Sequence, residues 1–182
     1  MKNRVGIVLA GLLAVACSQS GLVRKDTAST HYLPPVGTLI ELHKPIEVAA
    51  GRTRVFLQRG AVSAGIDQYA PSCNFEVRKL SEQPQVISPE DFLVVKVQRV
   101  TEEVVRLAQP VQVAALGLAG LDADSGLPMI TRGVHLWIGS DTQPDVMRLT
   151  CRGGFDDPWR AELPSIDEMR TALGDYASLT LP

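Results

Sequence analysis

The chain is poor in the residues that most often carry chemistry. It holds three histidines and three cysteines in 182 residues. His31, His43 and His135 lie far apart, none within an HExxH pattern or paired at metal-ligand spacing, so no zinc motif is present and no metal site is expected. Aromatic residues make up only 5% of the chain. Lys plus Arg (18) and Asp plus Glu (20) nearly balance, and no basic stripe stands out, so nucleic acid is not an expected partner. No apolar run reaches the roughly 20 residues that a membrane-spanning helix needs. Internal repeats and low-complexity segments are also missing. What remains is 45% apolar content, enough for a sizeable core, in a length that suits one domain.

The first seventeen residues are the most specific part. Lys2 and Arg4 give a positive start, and Val5 to Val15 is an apolar run of eleven residues without a charge. This is the layout of an export signal, to be set aside in reasoning about the fold. It ends Leu13-Ala14-Val15-Ala16-Cys17. That ending resembles the lipobox of bacterial lipoprotein precursors, with Ala14 standing where Leu is commonest. The resemblance covers only residues 1–18. It implies cleavage before Cys17 and covalent attachment of a diacylglyceryl group and an N-acyl chain to that cysteine. Two or three acyl chains anchor a protein far more firmly than one. Ser18 after the cysteine implies, by the same resemblance, the outer membrane rather than the inner, with the protein facing the periplasm.

Removing residues 1–16 leaves 166 residues, with 16 basic and 20 acidic side chains and a formal charge of about −4. Only Cys73 and Cys151 then remain. In an oxidising compartment two cysteines read as a pair. The local pattern agrees. Cys73 shares its phase with Phe75 and Val77, and Cys151 shares its phase with Met147 and Leu149. Side chains alternate faces along a strand, so both sulfurs should point into a core.

Residues 17–36, with Pro34-Pro35 and no apolar period, read as a flexible lipidated tether, and 37–182 as a single periplasmic domain. Its strands are predicted at 39–42, 46–48, 53–58, 73–80, 92–97, 104–107, 112–118, 132–138 and 146–151, the last two forming a hairpin. Residues 60–72 and 83–89 read as loops. Short strands separated by turn signals predict a mainly β fold, an antiparallel β-sandwich with one disulfide. One short C-terminal α-helix is predicted. Ser165 and Glu168 form a capping-box pattern, and Gly174 stands where a helix ends.

Each candidate site competes with a plain alternative. Asp122-Ala123-Asp124-Ser125-Gly126 resembles the start of a calcium loop, but the twelfth position is Gly133 and the segment reads as a turn. Gly60 to Gly65 has the wrong spacing for a nucleophile elbow. His135 and Trp137 share a strand face opposite Val134, Leu136 and Ile138, a candidate binding face. The segment Arg152-Gly153-Gly154-Phe155-Asp156-Asp157-Pro158-Trp159-Arg160 is the least generic part of the domain. It reads either as a pinned turn with Trp159 plugging the sandwich end, or as a contact surface built from Arg152, Phe155, Trp159 and Arg160, residue types enriched at hot spots. No nucleophile or cofactor motif is found, so no catalytic residue is assigned, and no cofactor beyond the lipid on Cys17. The expected role is a non-enzymatic envelope accessory protein, held on the membrane by its lipid, that presents its domain to another envelope protein. A ligand-binding module or inhibitor of an envelope hydrolase is the alternative, and an envelope hydrolase the second.

Overall fold

The structure, a computed structural model, describes residues 26–103 and 128–182. The expected export signal, Cys17, the expected strands at 104–107 and 112–118 and the turn expected at Asp122–Gly126 lie outside the described residues. Ten strands and one helix follow in chain order: β1 (Leu39–Leu42), β2 (Ile46–Val48), β3 (Arg54–Gln58), β4 (Ala61–Ser63), β5 (Ser72–Val77), β6 (Gln85–Ile87), β7 (Glu90–Glu103), β8 (Ile130–Gly139), β9 (Val146–Arg152), α1 (Ile166–Leu173) and β10 (Ala177–Thr180).

Eight of the strands form one sheet in the order β10-β1-β7-β8-β9-β5-β3-β4, and β2 pairs with β6 in a separate two-stranded sheet. Every pairing is antiparallel. The fold is therefore mainly β and antiparallel with a C-terminal helix, as the strand periods predict. Its layering comes from curling of the large sheet. Phe75 on β5 and Phe92 on β7 are three strand spacings apart, about 14 Å on a flat sheet. Their ring centroids nevertheless meet at 6.3 Å. Helix α1 packs on β3 and β5 and also on β10, at opposite ends of the strand order, so it lies across the gap that the curl leaves open.

The inward phase of each strand fills the concave side. Val55, Leu57, Phe75, Val77, Phe92, Val94, Val134, Leu136, Ile138 and Leu149 are buried there, together with Ile166, Met169 and Leu173 of the helix. Cys73 and Cys151 face each other across β5 and β9 in the ladder and are bonded, with a Cα–Cα distance of 4.0 Å. Both are buried in this core.

Local chemistry sets the helix ends. The Ser165 hydroxyl accepts from the Glu168 amide at 3.2 Å, and the Glu168 carboxylate accepts from the Ser165 amide at 2.8 Å, a complete capping box. At the other end Gly174 has φ +54 and lies against Gly60, where a Cβ would come within 2.3 Å of the Gly60 Cα. The Gly60 amide also donates to the Ala172 carbonyl at 3.1 Å. This backbone contact closes the helix against the β3–β4 turn.

The sequence expectation differs from the structure in four places. Residues 61–63 and 85–87 form strands where loops are expected, and β10 has no counterpart in the prediction. Residues 26–36, expected in the tether, are docked from Thr27 onward. The Thr27 hydroxyl donates to Asp167 at 3.0 Å, the Asp167 amide donates to the Thr27 carbonyl at 3.1 Å, and Tyr32 and Leu33 pack on the core.

Candidate functional site

The register of the sheet assembles a polar lattice on its convex face. Side chains of one phase on β3, β5, β9, β8 and β7 fall into transverse rows. The first row runs Arg54, Glu76, Arg148, Trp137, Lys96. The second runs Phe56, Asn74, Thr150, His135, Gln98. The third contains Ser72, Arg152, Gly133 and Val100.

In the first row Glu76 sits between two arginines. Glu76 receives the Arg148 guanidinium at 2.7 Å on one oxygen and Arg54 at 3.3 Å on the other. Burial pushes the Glu76 carboxyl up, but the Arg148 hydrogen bond and the charges of Arg54 and Arg148 outweigh it and leave the group below its ordinary value. Trp137 is clamped between two cations, with the Arg148 guanidinium 4.9 Å and the Lys96 ammonium 5.5 Å from its ring centroid. Its indole N–H donates to Gln98 at 3.3 Å.

The second and third rows are sunk deeper. His135 is 8% exposed, shares a 2.8 Å hydrogen bond with the Thr150 hydroxyl and meets Trp137 edge-on. Burial holds the His135 imidazole below its ordinary pKa, and the nearby charges of Arg148 and Arg152 add to the effect. Arg152 is 6% exposed. It donates to Asn74 at 2.7 Å and to Glu102 at 2.6 Å. Gly133 leaves it room, since a Cβ there would meet the Arg152 Cγ at 2.9 Å. Two donors in this lattice, the Asn74 amide nitrogen and the Arg152 Nε, are buried without a partner.

These findings revise the role expected for individual residues. His135 and Trp137 do share a face, but only Trp137 is open to solvent in part, and His135 is buried. Arg152 is not a surface group, and its partners are Glu102 and Asn74. Phe155 is half-buried. Arg160 pairs with Asp156 at 3.5 Å and is exposed. Trp159 does not plug the end of the fold but is 70% exposed. The glycines at 153 and 154 bring backbone close to the chain's own backbone, since a Cβ would meet the Glu162 carbonyl at 2.5 Å and the Tyr69 carbonyl at 2.6 Å respectively. The loop is pinned at its start by Gly153 N–H to Arg132 and by the Thr131 hydroxyl to Gly153. The row partners Arg54, Glu76, Lys96 and Arg148 are missing from the sequence reading. Their alternation marks the outward phase, but their alignment depends on register.

Two clefts flank this loop. One, of about 260 Å³, is bordered by Thr30, Tyr69, Gly154 and Arg160. The other, of about 140 Å³, is bordered by Thr30, His31, Arg132 and Trp159.

The chemistry open to the lattice is limited. The Thr150 side chain is fully buried, and no carboxylate hydrogen-bonds His135 among the described residues. The pair thus has neither the access nor the orienting acid of a nucleophile triad. No group of three His, Cys, Asp or Glu side chains converges to hold a metal ion among the described residues. None of the described helices is long and apolar enough to cross a membrane. What the face does offer is a ring held between cations, beside a row with three basic groups and one acid. Comparison with protein-family models, with curated proteins and with solved structures returns no match.

Proposed function

We propose that the chain is a lipid-anchored envelope protein, held through Cys17 on the periplasmic side of the outer membrane, that presents its β domain to another envelope protein. The first-row face around Trp137 carries this reading. Arg54, Arg148 and Lys96 against Glu76 give the row an excess of two positive charges. A flat aromatic fixed among cations suits a partner that offers acidic side chains around a small apolar contact. The row is held by cross-strand bonds, so little side-chain freedom is lost when a partner docks.

A photo-crosslinking side chain placed at position 96 or 137 in the intact cell tests it. One discrete adduct is expected at those positions and none at exposed Glu82. Lys96→Glu, with the crosslinker at 137, should abolish the adduct by reversing the end charge. Equal labelling at all three positions, or an adduct indifferent to Lys96→Glu, refutes the proposal. Mass spectrometry of the amino-terminal peptide reads the lipid on Cys17 directly.

A further inference from the structure

Trp159 is the most exposed large hydrophobic side chain among the described residues at 70%, and Tyr69, at 64%, is the other strongly exposed aromatic. Tyr69 borders one of the two clefts beside the 153–163 loop and Trp159 the other, and Thr30 borders both. Thr30 belongs to the segment by which the chain enters the domain. Thr27 fastens that segment to Asp167 at the start of α1.

Cys17 and Asp26 are nine positions apart, with eight residues between them. At full extension nine residues span at most about 32 Å. A compact domain of this size has a diameter on the order of 40 Å. A lipid on Cys17 therefore keeps the entry pole within about 32 Å of the bilayer, less than the width of the domain, so the pole where the chain enters is the part of the surface held nearest the membrane. The same pole carries the aromatic side chains. Trp and Tyr favour the membrane–water boundary because an apolar ring and a polar N–H or O–H find both surroundings there.

Resting on the reading of Cys17 as the anchor, we propose that this pole lies against the bilayer surface, with Trp159 seated among the lipid headgroups and Tyr69 beside it. Charge does not drive the contact. Arg160 pairs with Asp156, Arg132 donates to the Pro158 carbonyl, and Asp157 and Glu162 add negative charge to the same loop, so the contact is expected to depend little on anionic lipid. The consequence is orientation. Arg148 lies four residues before the end of β9 at Arg152, roughly 13 Å along the strand, which sets the Trp137 row back from the membrane and toward the periplasm.

The test uses the full acylated protein reconstituted in phosphatidylcholine vesicles. The chain has two tryptophans, so Trp137→Phe leaves Trp159 as the sole indole. Its emission is expected to shift to shorter wavelength, to be quenched by brominated acyl chains, and to lose several-fold in iodide quenching relative to the unanchored Cys17→Ala form. The reciprocal Trp159→Phe variant, reporting on Trp137, is expected to stay untouched by bromine. Protein that floats with the vesicles while Trp159 remains open to iodide and unquenched by bromine overturns this proposal alone. Shielding from both quenchers assigns the patch to a second copy or another protein and overturns it too. Protein without acyl mass that fails to float overturns the anchor reading and this one together.

Discussion

Reduction of the Cys73–Cys151 bond should remove a large share of the domain's stability. The cysteines are 78 positions apart. They already face each other in the β5–β9 ladder, so the bond adds little order to the folded state. Its effect falls on the unfolded chain, whose loop it closes. The loop-entropy relation gives about 4.5 kcal/mol at 25 °C for that length. Small domains have total stabilities of about 5–15 kcal/mol, so the reduced protein should be marginal. With a urea slope of about 2 kcal/mol/M, the unfolding midpoint should fall by about 2 M. Urea titrations with and without reductant, followed by tryptophan emission, measure it. The slope should also rise on reduction, because an unfolded chain without the crosslink exposes more surface. Cys73→Ala/Cys151→Ala should lose somewhat more than reduction, since it also empties two buried sulfur positions. A midpoint shift below about 0.5 M refutes the entropic argument at this slope. A full shift with an unchanged slope would move the effect into native packing and refute it in another way.

Three further outcomes follow from local geometry. His135 is held neutral by burial and by Arg148 and Arg152, so its folded pKa lies below the ordinary 6.5. The unfolded chain then binds more protons as pH falls through about 6.5, and stability should decline below that point; His135→Gln should flatten the decline in urea midpoints measured between about pH 7.5 and pH 5. Gly174→Ala places a Cβ 2.3 Å from the Gly60 Cα at φ +54 and should lose about 3 kcal/mol or more, lowering the melting temperature by about 10 °C. Gly60→Ala, whose Cβ has 3.3 Å of clearance, should be the milder of the two. Ser165→Ala removes the cap and should lose about 1 kcal/mol in the same melting assay.

Much of the fold was legible because the concave face obeys a simple period. Phe75 and Val77 share a phase with Cys73, and Val134, Leu136 and Ile138 alternate cleanly, so strand positions and the inward direction of both cysteines could be read from the chain. The capping box was legible for the same reason, since it is local. The strands that escaped were short or unusually turned. Strand β4 follows a two-residue turn, Arg59-Gly60, in which both residues have positive φ. Such a turn is normally announced by Asn-Gly or Asp-Gly, and Arg59 hides it. Strand β10 offers only Ala177 and Leu179 as inward residues. The site was less legible than the fold. Outward residues could be identified as outward, but which of them stand side by side depends on register, and a shift of one residue would replace every neighbour. Trp159 stands among the candidate contacts, but its exposure goes with a loop whose Gly153 packs on Glu162 and whose Gly154 packs on Tyr69, 85 positions away in sequence.

The convex lattice also shows why polarity alone is a poor guide to a binding surface. Asn74, Glu76, Thr150, Arg152 and His135 are all buried, although each occupies the outward phase of its strand. Their hydrogen bonds run across strands, from Arg152 to Asn74 and Glu102 and from Arg148 to Glu76. A group held in this way has spent its directional capacity inside the molecule. Glu76 is the clearest case, because each oxygen already meets an arginine. A partner would have to break those bonds to use them, at a loss typical of buried charge pairs, on the order of 3–5 kcal/mol. Lys96 differs. Its ammonium faces only the Trp137 ring among the described contacts, and a cation over an exposed ring contributes only about 0.5–1 kcal/mol. Redirecting Lys96 toward an acidic partner therefore loses little and exposes the ring edge at the same time. Recognition on this face should begin at the Lys96–Trp137 end of the row, while the residues behind it keep the ring in place.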